Sequence, residues 1–141
     1  EELFASGKGF TDPGEAARFV KETGVDWLSV AVGSIHGAIS GAARHAKKIE
    51  ARLNITRLEA LRQAAGVPLV LHGGTGIRQA YLRQAIQHGI AKVNVATATR
   101  QPYERLVGTS LEKAQQAVYA AAVKVIREAL EAEGSALVFD P

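Results

Sequence analysis

The sequence predicts an α/β protein with a parallel sheet, and two observations carry that prediction. Short apolar runs of strand length alternate with helix-patterned segments three times along the chain. The runs are also nearly unbroken, as strands covered on both faces require, and right-handed crossovers then join them. Such folds gather ligand chemistry at the carboxyl ends of their strands, which here read "VGSIHG", "LHGGTG" and "NVAT".

Each element has a local cause. A first helix is expected from Pro13 to about Thr23, because Asp12 caps, Pro13 suits the first turn, Glu15 holds the reciprocal capping position and Gly24 stops it. "VDWLSVAVG", Val25 to Gly33, is expected as a strand, with Trp27, Leu28, Val30, Ala31 and Val32 as its apolar run. "SIHGAISGAARHAKKIEARL" carries no clean period and is expected as a long loop, of the kind that is often functional. Asn54 then caps a second helix with Leu58 and Leu61 facing inward and Gly66 ending it, and "PLVLH" follows as the second strand. Ile77 to His88 is expected as a helix offering Ala80, Leu82, Ala85 and Ile86 for packing, with Gly89 closing it. "KVNVAT" gives the third strand, Thr97 lies at the approach to the next helix, and Ser110 opens a long alanine-rich helix reaching Glu133.

Bulk properties narrow the function classes. The 141 residues allow one domain, or part of one, but fall short of the roughly 250 that a closed eight-fold barrel needs. The chain starts at Glu1 and contains no methionine, so a fragment or a cleaved chain is expected. Without cysteine, any metal must use His and carboxylate ligands. No apolar run approaches the ~18 residues of a membrane span, and a cytoplasmic protein with no membrane partner is expected. Charge is mildly basic, with 17 Lys+Arg against 14 Asp+Glu. Arg44, Lys47, Lys48, Arg52, Arg57 and Arg62 lack interleaved aromatic residues, which favours a solvated face over nucleic-acid binding.

The chemistry-bearing residues sit at the strand ends. His36 and His72 occupy equivalent places, each at or just past a strand end and each followed by glycine. Either one alone reads as a hydrogen-bonded histidine at the core edge; the pair reads as part of a metal site with a third ligand to be supplied. His88, near a helix C-terminus, and His45, in the basic loop, carry the plainer reading. "GGTG", Gly73 to Gly76, precedes a helix and is expected to offer backbone N–H groups and the Thr75 hydroxyl to a phosphate, the alternative being a tight turn. Alternation turns Lys92, Asn94 and Ala96 to one face, so Asn94 faces either a lined site or neighbouring groups that satisfy its amide.

Taken in order, "DWLSVAVGSIHG", "PLVLHGGTGI" and "GIAKVNVATATR" resemble the carboxy-terminal half of the class II, metal-dependent ketose-bisphosphate aldolases, the family of fructose- and tagatose-bisphosphate aldolases. The resemblance runs from "FTDPGEAARFVKETGVD" to at least Arg100. It implies a TIM (β/α)8 barrel, of which residues 1–141 supply the last three β/α units and a C-terminal helix. By motif, His36 and His72 are two of three zinc ligands, and Gly37, Gly73, Gly74, Thr75 and Asn94, Val95, Ala96, Thr97 hold the substrate and its phosphate. Asn94 also takes a catalytic role against the reacting triose. Backbone groups near Val32, Gly37 and Gly73 are matched to a sodium or potassium site.

The implied reaction is reversible cleavage of a ketose bisphosphate to dihydroxyacetone phosphate and glyceraldehyde 3-phosphate. The third histidine and the proton-moving aspartate are expected in an amino-terminal half with which this chain completes the barrel, in a homo-oligomer, and the isolated chain is expected to be inactive. The match departs at Ser40, where relatives often carry lysine, and at Ala96, where many fructose-bisphosphate enzymes carry aspartate; "NVAT" is closer to the tagatose-type pattern. Two alternatives remain: a non-catalytic phosphate-binding or assembly half-barrel, and a metal-free phosphate-binding barrel enzyme.

Overall fold

The computed structural model of the chain describes residues 7–34 and 51–139. They form two compact units that divide after Asn94.

In the first unit, helices and strands alternate as α1 (Pro13–Thr23), β1 (Leu28–Val30), α2 (Ile55–Ala65), β2 (Leu69–Leu71), α3 (Gln79–Gln87) and β3 (Ile90–Val93). The sheet order is β1-β2-β3 and both pairings are parallel, as the alternation predicts. Leu28 pairs with Leu69 and Val30 with Leu71. Between β2 and β3 the register slips once, so that Leu69 faces Ile90 but Val70 faces Lys92.

Both predicted caps form. Asp12 Oδ1 accepts from the amides of Gly14 and Glu15 at 2.8 and 3.1 Å, and Asn54 Oδ1 accepts from Arg57 N at 2.9 Å. Gly24 and Gly66 end α1 and α2 in left-handed conformation. Leu58 and Leu61 turn inward as expected, and with Leu69, Leu71 and Val32 they are the largest side chains sealed from solvent among the described residues. β2, the central strand, is buried at all three positions.

Several expectations need correction. β1 is three residues long, not a strand from Val25 to Gly33, and Trp27 is 52% exposed. Among the described residues β1 pairs only with β2, along one of its two edges. α3 covers Gln79–Gln87 rather than 77–88; it buries Leu82 and Ala85 but leaves Ala80 and Ile86 outside. Position 86 falls next to the buried Ala85 in sequence, yet one residue's rotation carries it around the cylinder to the solvent side.

The second unit is helical: α4 (Thr97–Leu106) packs on α5 (Leu111–Lys124). Ser110 caps α5 as predicted, its Oγ accepting from Lys113 N at 3.3 Å. The helix does not reach Glu133 in regular form. It widens to a π turn over Val125–Ala129, where Leu130 N donates to Val125 O at 2.9 Å, and Glu131 then adopts a positive φ of 49° that turns the chain away. A short 3-10 turn, Ser135–Phe139, follows. No helix of the described residues is long and apolar enough to cross a membrane.

Candidate active site at the strand ends

The end of β1 is held from two sides. Thr11 N donates to Ala31 O at 2.9 Å and Thr11 Oγ1 accepts from Ala31 N at 2.8 Å, so one residue satisfies both backbone groups of Ala31. On the other side Asn54 N donates to Val32 O at 2.9 Å. No local signal in the sequence marks Thr11 as a residue that pairs 20 positions away. His36 and Gly37, the predicted ligand and phosphate contact that follow this strand, lie outside the described residues, as do His45, Ser40, Arg44, Lys47 and Lys48.

At the end of β2 the ladder continues through Asn94, whose N–H donates to Leu71 O at 2.9 Å. In a regular parallel ladder the amide answering Asn94 O would be that of Gly73. It is that of Gly74, at 3.0 Å, so the chain carries one extra residue at His72–Gly73. Such a bulge bends the strand and re-aims a side chain, and Gly73 accommodates it with a φ of 71° that a residue with a Cβ rarely adopts. The sequence motif predicted glycine for the close approach of a ligand; the bulge gives this position a backbone reason as well.

The re-aimed side chain is His72. Asn94 Nδ2 stands 2.9 Å from His72 Nε2 and 3.5 Å from Nδ1, and both residues are half-buried. Those two distances place the amide nitrogen over the face of the imidazole rather than in line with either ring nitrogen. The structure thus brings two of the predicted site residues into contact from adjacent strand ends. A neighbour thus meets the Asn94 amide nitrogen, and that neighbour is the candidate ligand.

Zinc is the metal that the sequence resemblance implies, and such sites take the lone pair of a neutral imidazole. The His72 imidazole, at the end of β2, supplies a donor of that type and fits as one ligand. Among the described residues no group of three His, Cys, Asp or Glu side chains comes together to complete a set.

The phosphate expectation is modified in one respect. Gly74 N–H is committed to Asn94 O, and Ile77 N donates back to Gly74 O at 3.3 Å, so "GGTG" closes as a turn. α3 begins only at Gln79, with no side-chain cap from Arg78. The turn therefore precedes the helix's first residue rather than forming its first turn, and Gly74 shapes the loop instead of offering its amide. The turn is pinned further by Ala51, which bridges to Ile77 and donates from its N to Gly76 O at 3.1 Å. In the second unit, α4 starts at Thr97 after Ala96, whose carbonyl accepts from Arg100 N at 2.8 Å and from the Thr99 hydroxyl at 2.9 Å; no side chain caps this N-terminus.

Residues 1–137 match the family model described as fructose-bisphosphate aldolase class-II. A fructose-bisphosphate aldolase of Geobacillus stearothermophilus is 36% identical over 113 residues, which cover 80% of this chain and 37% of that protein. The solved YdjI aldolase of Escherichia coli K12 superposes with a TM-score of 0.64 at 34% identity, over 84% of this chain and 44% of that one. A solved protein of Coccidioides immitis, assigned as a fructose-1,6-bisphosphate aldolase, reaches a TM-score of 0.72 at 31% identity, over 92% and 46% of the two chains. The chain thus spans little more than a third of the Geobacillus relative and under half of these solved chains. With its parallel α/β repeats aligned on those of class II aldolases, the chain belongs to the class II fructose-bisphosphate aldolase family.

Proposed function

We propose that this chain is the carboxy-terminal part of a single barrel domain in a longer, cytoplasmic, zinc-dependent aldolase that cleaves a ketose bisphosphate to dihydroxyacetone phosphate and glyceraldehyde 3-phosphate. The observation that carries the reading is the His72–Asn94 contact at adjacent parallel strand ends, in a chain that belongs to this family. When bound, zinc supplies Lewis acidity toward a ketone carbonyl.

The chain's own residues have the following parts. His72 and His36 hold the metal. Asn94 contributes a catalytic contact to a triose hydroxyl through its amide, whose nitrogen is already oriented by His72. Gly37, Gly73 and Thr75 bind one phosphate, Gly74 shapes their turn, and Val95, Ala96 and Thr97 are assigned to phosphate by the family match alone. Backbone groups near Val32, Gly37 and Gly73 are assigned to a sodium or potassium ion by the family match. The third histidine and the aspartate that moves the proton are assigned to the remainder of the enzyme, which acts as a homo-oligomer. The substrate is fructose 1,6-bisphosphate or tagatose 1,6-bisphosphate, a choice that Ala96 alone does not decide.

The test is His72→Ala in the longer enzyme, read by metal analysis and by a cleavage assay on both bisphosphates. Zinc and turnover should disappear together. Stoichiometric zinc retained by the variant would overturn the ligand assignment, and turnover unaffected by a chelator would overturn zinc dependence.

A further inference from the structure

The register of the sheet sorts its side chains onto two faces. The steps from β1 to β2 and from β2 to β3 run the same way across the sheet, so right-handed crossovers lay α2 and α3 on one face, and α1 packs on α2. Along β2, Leu69 and Leu71 alternate with Val70 and His72. Ser29, Val70 and Lys92 are partners in register and form one row across the sheet. His72 and Asn94 lie two residues further along their strands and meet, which places them on that same face. Ser29 and Lys92 are exposed, whereas Val30, Leu69, Leu71 and Ile90 are buried, so the row belongs to the face that the helices leave open.

Lys92 brings a positive charge to this row, and Ser29 and Val70 offer nothing to balance it. No carboxylate among the described residues lies within ion-pair distance of it. Closed into the barrel of the proposed enzyme, the open face becomes the inner wall, where layers of side chains pack as a core rather than line a pore. An ammonium taken into such an interior needs a counter-charge, because its desolvation is otherwise uncompensated. Its depth points to the source of that charge. Lys92 precedes Asn94 by two residues and so sits about 6–7 Å nearer the amino ends of the strands, whereas barrels of this kind bind substrate at the carboxyl ends. The anion within its layer is therefore a side chain and not a substrate phosphate.

We propose that Lys92 forms a buried ion pair with an aspartate or glutamate carried by the part of the longer enzyme outside residues 1–141, joining the two parts of the barrel in the layer beneath His72 and Asn94. The proposal rests on the reading of this chain as part of a longer barrel, and not on zinc or on the reaction. The sheet described here supplies the cation and the remainder supplies the carboxylate, so that each charge is buried only when the other arrives.

The experiment is a crystal structure of the longer enzyme, with and without inorganic phosphate, joined to thermal unfolding of variants. The expected result is a carboxylate oxygen from outside residues 1–141 within about 4 Å of Lys92 Nζ in both crystals. A Lys92 ammonium that faces solvent, binds the phosphate, or pairs with a carboxylate within residues 1–141 overturns the proposal. Lys92→Met should lower Tm by about 5–15 °C by stranding the carboxylate, and changing that carboxylate to leucine in the same protein should recover most of the loss. A double variant no more stable than Lys92→Met overturns the pairing. Where Lys92→Met does not fold, the crystal structure of the unaltered enzyme decides. Zinc binding and cleavage assays on the unaltered enzyme separate this proposal from the functional reading. A paired Lys92 in an enzyme that neither binds zinc nor cleaves a ketose bisphosphate upholds the ion pair and overturns that function; a zinc-dependent aldolase with Lys92 unpaired does the reverse.

Discussion

Gly89 is closely confined by a single neighbour. A Cβ built there would meet Arg62 Cδ at 2.6 Å and Cγ at 2.9 Å, and the backbone holds a φ of 112°. The Arg62 stem lies across the turn into β3 while its charged end stays in solvent. Gly89→Ala should therefore destabilise the chain by about 1–3 kcal/mol in urea unfolding, from strained backbone and contact together. Adding Arg62→Ala should relieve only the contact, so the double variant recovers part of the loss. Asn54→Ala should cost ~1 kcal/mol by the same measurement, through the lost cap on Arg57 N. Residues of this kind were legible in the sequence where the signal is local, as at Asp12, Gly24, Asn54 and Gly66. Asn94 was not fully legible, because a pattern of alternation says which face a side chain takes but not which group it meets there.

Among the described elements, β2 is the strand with a neighbour on each side, and its three residues are all buried. Leu71→Ala should cost about 2–5 kcal/mol, and amide exchange should be slowest across Leu69–Leu71. β1 was overestimated because an apolar run of letters looks alike whether its strand is central or lies at the margin of a sheet. Trp27, the sole tryptophan, makes that distinction measurable: at 52% exposure its fluorescence should be quenched freely by acrylamide in the isolated chain. The bulge after β2 left no trace in composition beyond Gly73, since it arises from how two strands are offset. The π turn that ends α5 was equally hidden, because its residues are ordinary helix formers.

At the scale of the molecule, the parallel α/β class was readable because it depends on the order of elements and not on their boundaries. What lay beyond reading was the way a distant threonine and asparagine secure the strand ends. The proposal that the chain works within a longer enzyme makes a direct prediction here. Purified alone, the 141-residue chain should cleave neither fructose nor tagatose 1,6-bisphosphate above background, with or without zinc. Its described residues bring no set of three ligating side chains together. Sustained turnover by the purified chain would sink that prediction.

The bond from Asn54 N to Val32 O fastens the start and finish of the intervening span to each other at 2.9 Å. Closure entropy grows only slowly with the number of residues between two joined positions, so a few residues added to this span away from His36, Gly37 and Ala51 should cost the scaffold under about 1 kcal/mol.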